Sequence, residues 1–462
     1  MTTRGGEIVL KWVLPFLVTP AYSTKAKMKK WNKKRSMMIG LTFGAVLLWM
    51  TLIPIAGITA QKQKLVVWQE PGHHYKAYDE VYAEFERKNP TIDVDVEFYR
   101  WGDYRPKVYS KFAIGNPPDL MELSPWWDIE FAVQGFLEPM TDRFARWGEK
   151  DDFFAIAVEQ NTYNGELWSI PWHLTNMALY YNKDLFEEAG FIDTPKNWTE
   201  FLGTAIKLTR DIDGDGKIDV WGYPVSSNVM WFWPWPYQNG GKFYDPEINR
   251  VVLDSPEAIG GLQFLVDLIY KWKVGPKPTP EGYIGYAEST RRLFIVEKSA
   301  MYISGPWDIK PIRAANPDLN FMTAKLPEGK KRFVPTYGVD LAIAKVSKVK
   351  DKAWELIKML TSLETELKVT KESGMIMPRK SWAKSSLVQQ MELAKPFVEQ
   401  MAYAELVQRY VVLSGHPEIY TTMVQTAFES ALYGEKTAKE ALVKYTKEAN
   451  ELIEKEPPAW LK

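Results

Sequence analysis

The chain has 462 residues, 46% of them hydrophobic and 25% charged, with 58 basic side chains against 58 acidic ones. That length suits two or three folded domains, and the even charge lacks the basic excess that a nucleic-acid binder needs. With no cysteine and only four histidines (His73, His74, His173, His416), thiolate catalysis, disulfides and iron–sulfur clusters are excluded and a multi-histidine metal centre is disfavoured.

The chain order begins with a leader. A basic run from Met28 precedes an apolar run from Met37 to Gly57 and small residues near Ala60, the layout of a secretory signal. The apolar run is also long enough to span a bilayer. Residues 28–60 are therefore read as a signal peptide or an uncleaved membrane anchor. Residues 1–27 are read as an upstream segment from a start codon called too early. Lipid anchoring needs a cysteine and is ruled out.

Then "KLVVW" (64–68) reads as a strand. Tyr78, Val81, Tyr82 and Phe85 fall on one helical face. Ile92, Val94, Val96 and Phe98 alternate with acidic residues as in a half-buried strand. This βαβ unit predicts an α/β sheet covered by helices. Further strands are expected at 117–123, 177–182, 299–303 and 337–344. Helices are expected at 197–210, after Ser255 and Pro256, at 351–362 and along the tail from Pro417 to Lys455. No floppy linker separates two α/β lobes, so the chain should cross between them more than once.

The search for catalytic motifs returns nothing specific. There is no phosphate-binding glycine loop, nucleophile elbow or His-Glu-x-x-His. A glycosidase needs only two carboxylates about 5 to 10 Å apart, so a secreted carbohydrate-active hydrolase stays open as an alternative. "DIDGDGKID" is the sharpest local motif. Asp211, Asp213, Asp215, the carbonyl of Lys217 and Asp219 take positions one, three, five, seven and nine of a calcium loop, with Gly216 at the sharp turn. Position twelve is Gly222 where a bidentate Glu belongs. The expectation is a structural calcium, set against a solvated Asp/Gly turn.

The aromatic load is the outlier, with 20 Trp, 23 Tyr and 21 Phe. Trp126 and Trp127 ("SPWWD"), Trp172 ("IPWHLTN"), Trp307 ("SGPWD") and the run "VMWFWPWPYQNGG" (229–241) sit beside Pro or Gly. They are read as loop residues, and the prolines in 229–241 argue against helix and inner strand alike. Loops at the carboxyl ends of strands bind ligands in α/β sheets. Flat aromatic faces with polar neighbours suit a sugar ring, which has C–H groups on its face and hydroxyls at its rim.

In this order the motifs "GNPPDLMELSPWWD", "IPWHLTNMALYYNKDLFEEAG", "WPYQNGG", "EKSAMYISGPWDI" and "YGVDLAIA" resemble the extracellular solute-binding proteins of ABC sugar importers, the maltose-binding-protein-like family. The resemblance runs from Lys64 to about Lys380, and the family's helical tail suits the rest. It implies a two-lobed, periplasmic-binding-protein-like type II fold. The N-terminal lobe would comprise 61–174 and 337–374, the C-terminal lobe 175–336 and 375–462. The chain would cross between lobes near His173–Met177, Pro335–Tyr337 and Gly374–Met377.

Carried over, the family's ligand contacts fall on Glu70, His73, Ser124, Trp126, Trp172, His173, Trp231, Trp233, Trp307, Tyr337 and Arg379. Trp101 and Tyr104 join as further candidates. Phe232, Trp235 and Tyr237 would pack beneath the contact residues, and Trp127 is read as packing. The implied protein is not an enzyme. It would be a monomeric, periplasmic or extracellular receptor that needs no cofactor. It would bind a carbohydrate, most naturally an oligosaccharide, and deliver it to the membrane permease subunits of an ABC transporter. A membrane-anchored sugar sensor or adhesin is the remaining alternative.

Overall fold

A computed structural model describes residues 62–124, 127–278, 288–407, 416 and 418–457. The leader calls on 1–27 and 28–60, and Trp126, lie outside the described residues. Among those described, no helix is long and apolar enough to cross a membrane.

The β-branched run of the first predicted strand forms Gln63–Gln69. It pairs in parallel with Ile92–Phe98 on one side and Leu120–Leu123 on the other. The intervening helix, Lys76–Lys88, buries Ala77, Tyr78, Val81, Tyr82 and Phe85, the stripe that the sequence spacing selects. It packs against the helices Lys350–Leu360 and Leu363–Ser373. The sequence spacing runs the first of these to 362. The chain instead breaks there, because the Ser362 side chain accepts the Thr365 N–H and caps a new helix.

The long strand Val334–Ile343 completes a six-stranded sheet. It runs antiparallel to Leu120–Leu123 and to Ile170–Asn176, and parallel to the short strand Ala404–Glu405. A second, three-stranded antiparallel sheet is ordered Met301–Ser304, Ala178–Asn182, Phe321–Ala324. Met177 alone separates the strand Ile170–Asn176 of the first sheet from Ala178–Asn182 of the second. Val334 and Tyr337 pack in one core cluster with Leu179 and Met301, and Val339, Leu341 and Ile343 in another that joins residues of both sheets, Leu65 and Ile170 with Tyr180 and Tyr302.

The second-lobe core gathers Leu179, Met301 and Ile303 with the helices Pro256–Tyr270, Val424–Leu432 and Ala438–Lys455. Ser255 caps the first of these, its hydroxyl accepting the Ala258 N–H with Pro256 at the first helical position. The expected helical tail is interrupted at Tyr433–Thr437. There Thr437 and Glu440 form a reciprocal capping box that starts the last helix.

Two local readings are corrected. Segment 229–241 does carry helix: one turn at Val229–Trp231 and a short helix at Pro234–Gln238. Pro234 and Pro236 lie in its first turn, where backbone N–H groups have no intrahelical acceptor, so the prolines remove nothing. "IPWHLTN" is not a loop but the strand Ile170–Asn176, every residue of it buried and paired along one edge with Val334–Ile343. Pro171 is tolerated because the ladder slips there, with a register shift between Val339 and Asp340.

Candidate functional site

The predicted residues form a first-lobe group, a second-lobe group and an outlier. In the first lobe, Glu70 caps the turn Pro71–His73 at the end of strand Gln63–Gln69. Glu122, fully buried near the end of Leu120–Leu123, holds this turn. One carboxylate oxygen accepts the Glu70 backbone N–H at 2.7 Å, and the other lies 2.5 Å from His73 Nδ1. Burial alone would lower the affinity of His73 for its proton, but the Glu122 charge and hydrogen bond outweigh it and raise the pKa. Burial likewise raises the Glu122 carboxyl, and His73 pulls it back.

The His73 ring lies edge-on to His173 at 5.5 Å and to Trp101 at 5.8 Å. The register slip in strand Ile170–Asn176 sets Trp172 and His173 nearly parallel, with centroids 4.6 Å apart, although neighbouring strand residues ordinarily face opposite sides. Tyr78 packs on both rings, and its hydroxyl lies 2.6 Å from His173 Nε2. Burial, then the nearby His73 charge, holds His173 well below the ordinary histidine value, so it is neutral. Glu70, His73, Trp172 and His173 thus form one cluster. Ser124 lies two residues beyond Glu122, and its carbonyl accepts the Trp127 N–H. Trp127 packs with Trp101 and Tyr104, and the buried Tyr104 donates its hydroxyl to Trp68 O.

In the second lobe, Trp231 donates its indole N–H to Ile303 O, on the strand that leads into Trp307. Tyr337 donates its hydroxyl to Met230 O at 3.2 Å and so ties the shared strand to the aromatic segment. Trp307 is half-buried and packs against both large core clusters. Its setting is closely built. A Cβ placed on Gly305 would lie 2.1 Å from the Trp307 ring, and the Gly305 carbonyl accepts the Tyr180 hydroxyl at 2.6 Å. The fully buried Asp308 accepts from Arg291 at 2.7 Å, Ser304 at 2.7 Å and Tyr302 at 3.1 Å. Burial raises its carboxyl, and these donors, Arg291 first, offset part of the rise.

Burial corrects most of the assigned aromatic contacts: Trp172 and His173 are 1% exposed, Tyr337 3% and Trp231 4%, so in this structure they pack inside the molecule, and Trp233 and Arg379 join them. Trp233 exposes none of its surface and packs between Phe232 and Phe243, so its ring belongs to the lobe core together with Phe232, Trp235 and Tyr237. Arg379 is 1% exposed and fully engaged inside the molecule. Its guanidinium pairs with Glu149 at 2.8 Å, Asp152 at 3.2 Å and the buried Glu366 at 3.6 Å, and lies over the rings of Trp147 and Phe153. It has no free face for a ligand.

Sequence reasoning missed three features of this framework. Glu122 hides inside "LMEL", which reads as an apolar strand. Asp340 lies on the shared strand, where it accepts from Asn161 at 2.7 Å and Gln160 at 3.1 Å, and its carboxyl is pushed up to about 7, chiefly by burial. Asp128, which ends "SPWWD", lies against it. Burial, and then the charge of Asp340, raises Asp128 well above the carboxylate range. Two fully buried carboxyls in contact cannot both ionise, so Asp128 is a neutral acid. Gly305 and Asp308, the brace of Trp307, are the third feature. A glycine and an aspartate flanking "PW" carry no distinctive sequence signal.

The acidic loop brings oxygens of Asp211, Asp213 and Asp215 within 4.8 Å of one another. Asp219 accepts the Ile212 N–H, and Gly216 has φ 87°. This geometry suits a hard cation.

The fold is that of a two-lobed α/β binding protein. The chain belongs to the family of bacterial extracellular solute-binding proteins, whose model matches residues 71–366. Among solved structures it is similar to an ABC transporter solute-binding protein of Thermotoga lettingae bound with α-D-tagatose. The two are 28% identical with a TM-score of 0.74, covering 85% of this chain and all of that one. It is also similar to maltose-bound MalE3 of Thermotoga maritima, at 28% identity and a TM-score of 0.70, over 84% of this chain and 99% of that one. Among curated relatives, the diacetylchitobiose-binding protein DasA of Streptomyces coelicolor is 24% identical over 333 residues, 70% of this chain and 75% of its own. The role of the chain is that of a substrate-binding receptor.

Proposed function

We infer that the substrate is a sugar, most naturally an oligosaccharide, and that the receptor delivers it to the membrane permease subunits of an ABC transporter. The observation that supports this reading is the presence of two unlike kinds of group. A half-buried tryptophan, Trp307, follows the strand Met301–Ser304, and a hydrogen-bonding cluster is built around His73 and His173. An apolar face and polar edges are what a sugar ring presents. The sugars named for the relatives support the class without fixing the particular sugar. Lobe closure on the ligand would follow the hinge mode of two-lobed binding proteins.

The test is a tryptophan-fluorescence titration against a glycan panel, with chromatography of the recovered glycan. Saturable binding and unchanged glycan are expected; steady turnover would make the protein a hydrolase. The receptor is read as a monomer outside the cytoplasm, released or held by its leader, which intact-mass measurement of the secreted protein decides. A structural calcium at Asp211–Asp219 completes the reading. Calcium should raise the melting temperature in proportion to occupancy, and Asp213→Asn with Asp215→Asn should abolish the rise. No response to calcium would reduce the loop to a solvated turn.

A further inference from the structure

The first-lobe cluster has a polarity that stacking alone does not explain. A carboxylate only accepts hydrogen bonds, so the His73 nitrogen facing Glu122, Nδ1, carries a proton. His73 Nε2 has no hydrogen-bond partner among the described residues.

His173 resolves in the same direction. Its Nε2 faces the Tyr78 hydroxyl, and its buried Nδ1 has no partner. If Tyr78 accepted, its own hydroxyl proton and the Nδ1 lone pair would both be stranded. If Tyr78 donates, only one group is stranded, the Nδ1 N–H. The second arrangement costs less, so His173 Nδ1 is a donor. The indole Nε1 of Trp172, stacked on His173, is also buried without a partner, and it can only donate. Both nitrogens are closed to solvent, so this pair backs the His73 ring and leaves His73 as the member of the cluster that faces outward.

We propose that Glu122 is a positioning residue of the binding cleft: it locks the His73 ring, whose side chain stays 20% exposed, so that Nε2 donates to an acceptor oxygen of the sugar. This rests on the sugar-receptor reading. It differs from the aromatic platform because it recognises a hydroxyl oxygen through a fixed N–H group, and Glu122 itself touches no ligand. The arrangement is pH-dependent. The titratable groups around the His73 ring are Glu122 on its strand, Glu70 on the same turn, His173 on the strand Ile170–Asn176, and Tyr75 and Tyr78 at the start of helix Lys76–Lys88. Burial raises both tyrosine hydroxyls and keeps His173 neutral. Across neutral pH the change of charge therefore belongs to the His73–Glu122 pair. When that proton leaves, Glu122 keeps the one on Nδ1, and Nε2 turns from donor to acceptor.

The test uses the full folded chain without its leader. Histidine NMR follows the His73 ring in the ligand-free protein. Calorimetry with maltose, diacetylchitobiose and tagatose between about pH 5 and pH 8 follows binding. Wild type should show a His73 midpoint above the ordinary histidine value, and affinity should fall as pH rises through it. Glu122→Gln should move the midpoint down and weaken binding roughly ten- to a hundredfold, the range for a lost charge-assisted hydrogen bond. His73→Gln, a neutral donor, should bind with no pH dependence, and it serves if Glu122→Gln does not fold. A role confined to packing would lower affinity equally at every pH and leave the His73 midpoint in place, and that result overturns the proposal. If wild type binds none of the three sugars, the sugar reading falls for this panel, while the NMR midpoint still decides whether Glu122 sets the ring.

Discussion

Replacing Trp233 by alanine separates a core residue from a contact residue. The ring is fully buried and packed between Phe232 and Phe243. A tryptophan buries some 150–250 Å² of surface, and at about 25 cal/mol per Å² that is roughly 4–6 kcal/mol, against the roughly 3–5 kcal/mol seen when a buried Trp becomes Ala. The folded unit, Ala60–Lys462, has an unfolding entropy of about 0.8 kcal/mol/K if each residue contributes about 2.1 cal/mol/K. The loss then lowers the melting temperature by about 4 to 6 °C if the unit melts cooperatively. Calorimetry of wild type and Trp233→Ala reads this directly. Sugar affinity, measured well below the melting temperature, should change less than in Trp307→Ala. An unchanged melting temperature with lost affinity would refute the burial argument and restore Trp233 to the cleft wall.

Gly305→Ala pushes a methyl into the Trp307 ring and should displace the platform. The expected result is a shifted tryptophan emission and sugar binding weakened roughly three- to tenfold, the worth of an aromatic contact; unchanged emission would show that the ring is not seated there. Asp128 and Asp340 hold protons in the fold that the unfolded chain releases at lower pH. The folded state therefore binds more protons than the unfolded one, and the pair's contribution to stability falls as pH rises from about 4, the ordinary Asp value, through about 7. Urea unfolding at several pH values should show this slope in wild type and a flatter one in Asp340→Asn; equal slopes would exclude the pair as its source. Arg379→Met strips the guanidinium from Glu149, Asp152 and Glu366. It should cost a few kcal/mol of stability, in line with breaking a buried ion pair, and leave sugar affinity within about threefold. A selective loss of affinity would return Arg379 to the site.

The helix Lys76–Lys88 was legible because it buries one face and the spacing of apolar residues records which, and the strand Gln63–Gln69 because its short apolar run is buried in succession. The cap at Ser255 was legible in the same local way, since a short polar side chain must meet an N–H three residues on. The strand Ile170–Asn176 was not legible. Pro171 reads as a breaker, and only the slipped partner strand shows why it does no harm. The aromatic segment 229–241 misled in a related way, because burial on all sides leaves no periodic pattern to read.

The sequence by itself determined the α/β class, the family, the run of helices and strands and the abundance of aromatic platforms, because these rest on local periodicity and on motifs kept in order along the chain. Only the tertiary structure decided which of those side chains are free to act. Burial and pairing depend on residues far apart in the chain. Glu122 reaches His73 from 49 positions away, and Arg379 meets Asp152 from 227 positions away. No local spacing encodes such meetings. They follow from which sheets and helices come to lie against each other, and they separate Trp307, which keeps an exposed face, from Trp233, which has none.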